Sequence, residues 1–325
     1  MKTYRSEKLL PIARFYRSRH CHQRGVSLVE IMVALAISGI VLAAVLLSVA
    51  SAARSSAAQT EQSAMVENGQ YALNLLSRHI RNAGYESIKA VDKSPVKDRV
   101  RFGAYILGCE SGIFNNATVA LPDWGAACSA SGSNDAIAVR YQGGQLTMLP
   151  NNAENVTGIG AGANFQALDC SGKAVTATTI GGDGNPITIV DNRFFINNNN
   201  ELVCIGNGTG AGSEPMVQNI EQLRITYGVT NRLPNSAGIA TLGNKTVQYM
   251  SAGYLESSAA PGENPWERVT SVRICVVVRS PNPVPSLPSH DYMNCNGVLQ
   301  TPLADGFTRK ALFTVVEIPN VGPGF

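Results

Sequence analysis

Arg24-Gly25-Val26-Ser27-Leu28-Val29-Glu30-Ile31-Met32-Val33-Ala34-Leu35 joins a basic leader to a long apolar run. How this junction is read decides the fold. No charged residue occurs from Ile31 to Ala53. That length of Ile, Val, Leu and Ala suffices to cross a bilayer, which takes about 20 apolar residues. Basic residues precede the run and the bulk of the chain follows it, so the positive-inside rule puts the N-terminus in the cytoplasm and the body outside. An ordinary secretory signal peptide has a shorter apolar segment and a smaller charged region. Glu30 needs its own account, because a carboxylate inside lipid costs a few kcal/mol on insertion scales. Ser27-x-x-Glu30 fits a capping box, in which the two residues satisfy each other's backbone N–H groups. Cleavage after Gly25 offers more. It would free the α-amino group of Val26 one helical turn from Glu30, and that ammonium, or a neighbouring subunit's, could meet the carboxylate.

Working outward, the same junction divides the charge. The chain has 325 residues and a formal net charge of +3. Residues 1–25 hold seven Lys or Arg against the single acid Glu7, which leaves 19 basic and 22 acidic residues after Gly25. The basic character therefore belongs to the leader. The body, at −3, lacks the basic surface expected of a nucleic-acid binder. The seven cysteines divide too. Cys21 goes with the leader, and the even set Cys109, Cys128, Cys170, Cys204, Cys275 and Cys295 remains in a region placed outside the cytoplasm, where disulfides persist. Fifteen pairings are open to six cysteines. The simplest is sequential: Cys109–Cys128, Cys170–Cys204 and Cys275–Cys295, each closing a short loop and contributing about 3 kcal/mol. No CxxC pair is present, which argues against a zinc site.

The helical pattern continues past the apolar run. No Pro lies between Pro11 and Pro95. Polar residues (Arg54, Gln59, Glu61, Glu67, Gln70, Asn74, Arg78, Arg81) fill one side. Met65, Gly69, Ala72, Leu73, Leu76, Ile80 and Ala83 recur at three-four spacing on the other. Gly84 reads as the stop. A continuous helix from Val26 to Ala83 would be about 85 Å long. Beyond it come short β-like runs: Val100–Ile106, Ala136–Tyr141, Gln145–Leu149, Ile187–Val190, Arg193–Ile196, Glu201–Ile205, Leu223–Val229, Thr246–Met250, Val269–Val278 and Ala311–Ile318. Gly158–Gly162, Gly181–Gly184, Gly206–Gly212 and the Asn197–Asn200 run read as turns. Ser280–Pro288, with four prolines, reads as a surface loop. One long helix followed by many strands is an α+β arrangement.

The segment Arg24–Leu35 resembles the prepilin signature shared by type IV pilins and type II secretion pseudopilins. The resemblance implies that a membrane prepilin peptidase cuts after Gly25, that Val26 becomes the methylated N-terminus, and that Glu30, fifth in the mature chain, guides assembly. The family's usual first mature residue is Phe; here it is Val. Further passages are similar to PilW-type minor pilins: Glu67–Leu73 running into Leu76–Tyr85, Asn134–Tyr141, Glu201–Cys204, Val217–Leu223 leading to Tyr227-Gly228, Val272–Ile274, and the closing Leu312–Asn320. The implied organisation is a cleaved leader over 1–25, a transmembrane and assembly half-helix over 26–53, an amphipathic half-helix over 54–84, and a disulfide-bonded, β-rich globular domain over 85–325. The implied fold is pilin-like, with the long N-terminal α-helix packed on an antiparallel β domain. The implied partners are other minor pilins, the major pilin, the inner-membrane assembly platform and, further, a PilY-type tip adhesin. The implied location is the inner membrane before assembly and the pilus tip after it.

No catalytic set stands out. Of four histidines, His20 and His22 belong to the leader, His79 reads as a helix-surface residue, and His290 sits in the Pro-rich loop. GxSxG, HExxH and phosphate-loop patterns are missing. Asp183-Gly184-Asn185 lacks further acids at calcium-loop spacing. No cofactor or metal is expected, and a structural role in pilus assembly is the leading expectation. A minor pseudopilin of the GspJ type shares the same N-terminal physics and is the alternative. A membrane-anchored periplasmic enzyme or binding protein is the alternative of another class, and it predicts an uncut N-terminus.

Overall fold

The computed structural model describes residues 25–85, 104–114, 128–129, 132–143, 148–155, 164–176, 178–179, 186–210, 212–234, 240–242, 246–261, 264–284, 291–301 and 303–320. The leader 1–24, the spacers Gly158–Gly162 and Gly181–Gly184, Asp183-Gly184-Asn185 and His290 lie outside them. The chain divides into two units, residues 1–55 and 56–325.

Helix α1 runs Leu28–Asn82 without a break, 55 residues in all. In the first unit its side chains are exposed throughout, among them Leu28, Ile31, Val41 and Leu47. It is the one described helix long and apolar enough to span a membrane. In the second unit α1 is half buried. Met65, Gly69, Ala72, Leu73, Leu75, Leu76, His79 and Ile80 face inward. Each large apolar side chain so buried contributes roughly 1.5–3 kcal/mol, far more than helix propensity supplies. The helix stops by three devices. Gly84 turns with φ +70°, which costs a glycine little. The Gly84 N–H donates to Arg140 O at 2.9 Å. Asn320 Nδ2, from the far end of the chain, donates to the carbonyls of Arg81 (3.0 Å) and Ala83 (3.2 Å), satisfying acceptors that a helix end leaves orphaned.

The other described residues of the second unit form mainly antiparallel β-structure. The first sheet contains β1 (Ile106–Cys109), β2 (Ala136–Gln142), β3 (Ile189–Ile196), β4 (Leu202–Gly206) and β5 (Ser213–Val217), in that spatial order. The second contains β6 (Ile220–Val229), β7 (Gln248–Met250), β8 (Val269–Arg279) and β11 (Arg309–Glu317), in the order β7-β6-β8-β11. A hairpin of β9 (Tyr292–Met293) and β10 (Leu299–Gln300) precedes the last strand. Helix α2 (Ala252–Ser257) is capped by Ser251, whose side chain accepts from the Tyr254 N–H. The main core cluster lies between α1 and the two sheets. Leu73, Leu76 and Ile80 of α1 meet Ile137, Val139 and Phe194 of the first sheet and Leu223, Ile225, Ile274 and Val276 of the second. A smaller cluster with Cys109, Ala136, Ala138, Phe195 and Val203 covers the other face of the first sheet.

The structure corrects several readings. Ile187–Val190 and Arg193–Ile196 are not two strands; β3 is one strand across both, because the turn-forming Asp191 and Asn192 are paired inside the protein. β1 starts at Ile106, where the expected strand ended, and Val100–Gly103 lie outside the described residues. β5 was missed because Pro215 falls within it; Pro is tolerated there because β5 is a sheet edge. The described part of the Pro-rich segment is irregular and exposed at Asn282 and Pro283, as a surface loop would be, but it is tied down. Ser280 and Val284 are buried, and Asn282 donates from its backbone N–H and its Nδ2 to the two carboxylate oxygens of Glu61 on α1, at 2.8 and 2.9 Å. The Asn197–Asn200 run is turn chemistry, as expected: Asn197 Oδ1 accepts from the N–H groups of Asn199 and Glu201.

Close packing sets one sharp demand. A Cβ on Gly108 of β1 would stand 2.6 Å from Tyr227 Cζ. The ring cannot retreat, since it is fully buried and meets Trp266 edge to face at 4.9 Å. Gly108→Ala should therefore lower stability by about 1–3 kcal/mol. Gly212→Ala, with open space around its Cβ, should not. Thermal melts of both variants check the contrast.

Candidate functional site

The predicted site residues Gly25, Val26 and Glu30 lie together at the start of α1, all exposed. Ser27 occupies the N-cap place, and its carbonyl accepts from the Ile31 N–H at 3.2 Å. The reciprocal side-chain bonds of a capping box are not formed among the described residues, so Ser27 does not absorb the Glu30 carboxylate. Glu30 is in the first helical turn, where unpaired N–H groups give the helix a positive end that favours an anion. The arrangement is a carboxylate one turn from the Gly25–Val26 bond, at the head of a sleeve of apolar side chains. It can bind a cation from outside the helix and bury the sleeve against lipid or other helices.

The six predicted disulfide cysteines are joined as Cys109–Cys128, Cys170–Cys204 and Cys275–Cys295, with Cα separations of 5.3, 6.3 and 5.6 Å. They pin loops to strands. The first fixes the Ile113–Phe114/Cys128–Ser129 ladder beside β1. The second ties the Cys170 turn to β4. The third holds the β9–β10 hairpin on β8.

The polar interior was not expected. His79, read from sequence as a helix-surface residue, is only 6% exposed. It continues the spacing Met65, Gly69, Ala72, Leu76 on the buried face, and that series was the signal available for finding it. His79 Nδ1 lies 3.2 Å from Asn192 Nδ2 and 3.4 Å from the Tyr141 hydroxyl, and Asn192 Nδ2 also donates to that hydroxyl at 3.0 Å. Asn192 Oδ1 in turn accepts from the Cys170 N–H at 2.8 Å. One buried amide thus joins α1, β2, β3 and a disulfide turn. His79 Nε2 has no hydrogen-bond partner among the described residues. Burial, helped by Arg78, pulls the His79 pKa from 6.5 down to about 4 against a weaker opposing pull from Asp169. Burial also pushes Tyr141 up to about 12. Both groups are neutral at ordinary pH and act as fixed hydrogen-bonding groups.

Two further joints are built from carboxylates. Asp191 sits between Arg140 (3.0 Å) and Arg193 (3.1 Å) on the other face of the first sheet, all three nearly inaccessible. Removing one partner from a buried pair of this kind costs roughly 3–5 kcal/mol. Asn134 and Asp135, at the head of β2, clasp the second sheet: Asn134 Oδ1 accepts from the Leu223 N–H (3.0 Å), and Asp135 accepts from the Ile225 N–H (2.8 Å) and Arg224 Nη1 (2.7 Å). These residues carry hydrogen bonds between elements, and no group of three metal-ligating side chains converges among the described residues.

Comparison with known proteins adds to this geometry. Residues 193–320 match the family model described as Type IV Pilus-assembly protein W, and residues 21–46 match the Prokaryotic N-terminal methylation motif. No curated protein matches the chain. Among solved structures, a type IV-like pilin from Thermus thermophilus is similar at 12% identity and a TM-score of 0.35, over 79% of this chain and 98% of that one.

The shifted His79 sets a pH dependence with a definite sign. Its folded pKa lies below the unfolded value, so the folded state binds fewer protons between about pH 4 and 6.5. Stability is intact above pH 6.5 and is lost as pH falls toward 4, by up to about 1.4 kcal/mol per pH unit. Denaturant melts between pH 7 and 4.5 should fall more steeply for the native chain than for His79→Gln. Equal slopes would show that His79 does not carry the effect.

Proposed function

We propose that this PilW-type, type IV pilin-like precursor is a minor pilin that helps to initiate or cap a type IV pilus. In this reading the prepilin peptidase cuts after Gly25, and Val26 becomes the methylated N-terminus. The mature chain waits in the inner membrane with α1 as its single span. Its partners are other minor pilins, the major pilin, the assembly platform and a PilY-type tip adhesin. After assembly it sits at the pilus tip.

The observation that carries the reading is Glu30. It stands at the head of an apolar, wholly exposed stretch of α1, within the segment that matches the methylation motif, and it has no partner of its own among the described residues. A carboxylate there is unfavourable in lipid, so an incoming subunit's ammonium would relieve the cost and fix the axial register of the helices. The globular domain's many internal ties suit a rigid body carried at a filament end. The match to pilus-assembly protein W, rather than to a secretion pseudopilin, supports the pilus over the secretion apparatus.

Glu30→Ala should leave leader removal and membrane abundance unchanged while cutting the protein's recovery in sheared filaments at least tenfold. Glu30→Asp should recover part of the loss. Incorporation of Glu30→Ala at the native level would overturn the assigned role of the carboxylate.

A further inference from the structure

Three Asn-Gly pairs occur in the chain: Asn68-Gly69, Asn207-Gly208 and Asn296-Gly297. The pair matters chemically because glycine has no Cβ to shield its main-chain nitrogen. That nitrogen is therefore the least hindered one for attack on the carboxamide carbon of the asparagine before it. The fold protects two of the pairs. Asn68-Gly69 lies inside α1, and Gly69 is packed so closely that a Cβ there would stand 2.5 Å from Leu312 Cδ1 and 2.6 Å from Val278 Cγ2. Asn207 has both ends of its carboxamide engaged: Oδ1 accepts from the Asp191 N–H at 3.0 Å, and Nδ2 donates to Ile189 O at 2.8 Å. Gly208 beside it is buried, and its N–H donates to Asp169 Oδ2 at 2.8 Å.

Asn296-Gly297 has neither protection. It sits in the turn between β9 and β10, and both residues are exposed. The Asn296 main-chain N–H donates to Asn294 Oδ1 at 3.0 Å, but its own side chain makes no hydrogen bond among the described residues. Gly297 takes φ +73°, and a Cβ there would meet nothing within 4 Å, so nothing crowds the turn. The Gly297 N–H donates to Asn294 O at 3.0 Å. In an exposed turn such a bond opens to water at little cost.

We propose that Asn296 is a self-modification site, converting to aspartate and isoaspartate through a succinimide. The Gly297 nitrogen, its proton taken by hydroxide or water, attacks Asn296 Cγ. A C–N bond forms, the Cγ–Nδ2 bond breaks, and the amide nitrogen leaves as ammonia. Water then opens the ring at either carbonyl. Opening at the main-chain carbonyl gives isoaspartate, and opening at the Cγ carbonyl gives aspartate. One water is consumed and one ammonia released, with nothing oxidised or reduced. Both products put a carboxylate at the hairpin tip. Isoaspartate also lengthens the main chain by one methylene inside a turn that Asn294 Oδ1 holds by accepting from the Asn296 and Val298 N–H groups, at 3.0 Å each. The Cys275–Cys295 disulfide keeps the altered hairpin tethered, while its exposed Met293, Val298 and Leu299 lose their fixed arrangement. The site involves only the globular unit and does not rest on the reading of Glu30.

The test uses the full-length protein extracted from membranes, kept folded at mildly alkaline pH and sampled over time. Samples are then reduced, digested with trypsin and mapped by mass. The peptide spanning 280–309 should gain about 1 Da as an amide becomes an acid, and fragmentation should place the gain at Asn296. The gain should be at least tenfold faster there than at Asn207 or Asn68. Isoaspartate should be at least as abundant as aspartate, which distinguishes a succinimide from direct hydrolysis. Asn296→Gln should abolish the gain, and Gly297→Ala should slow it at least fivefold. Melting temperature and intact disulfides establish that each variant folds. In denaturant, with the disulfides reduced, the three sites should react at rates within threefold of one another. A rate at Asn296 no higher than at Asn207, aspartate as the sole product, or an unchanged rate in Gly297→Ala would overturn the proposal.

Discussion

A carboxylate in the first turn of a long apolar helix is the constraint on which the account depends. In the proposed placement Glu30 has water behind it and hydrocarbon ahead, and Ser27 makes no side-chain bond to it among the described residues. The cost is a few kcal/mol in lipid, comparable with the whole margin that decides whether a small domain folds. In that placement a helix carrying such a group is held by the membrane yet better satisfied by an opposite charge. The uncharged run from Ile31 to Ala53, the basic leader and the glycine at the junction all fit that tension. They make α1 an anchor with an unmet polar demand at its tip.

The second half of the same helix meets a different solvent and is built accordingly. Its buried face follows a three-four repeat that ends in His79, Ile80 and Ala83, and the globular unit closes on that face with directed bonds. Asn192 reaches His79, Asn320 caps the carbonyls at the helix end, and Asn282 grips Glu61. Hydrophobic burial supplies most of the energy, but it is nearly indifferent to register. The buried amides and carboxylates specify which turn of α1 meets which strand, because a slip of one residue would leave each of them unsatisfied. Several passages that resemble PilW-type pilins, Asn134-Asp135 and Pro319-Asn320 among them, prove to be these joints.

Much of this was legible from the sequence, for physical reasons. A long uncharged run, a three-four repeat and an even set of cysteines past Gly25 are signals carried by composition and local spacing, and they located α1, the α+β class and the cysteines that are joined. The strands were found where apolar residues alternate, as in Val269–Arg279. The misses came where tertiary partners overrode local rules. Asp191 and Asn192 signal a turn in isolation, yet they sit mid-strand because two arginines, a histidine and a tyrosine satisfy them. His79 looked like a surface residue because its type was weighed above its position in the repeat. Pro215 hid a strand that needs no donor on its outer side.

The central claim is that this chain is a processed, pilin-like subunit whose mature N-terminus is Val26. N-terminal sequencing of the protein extracted from membranes tests it most directly. A start at Val26, with the amine methylated, is the predicted result. A start at Met1, with the leader intact, would contradict it.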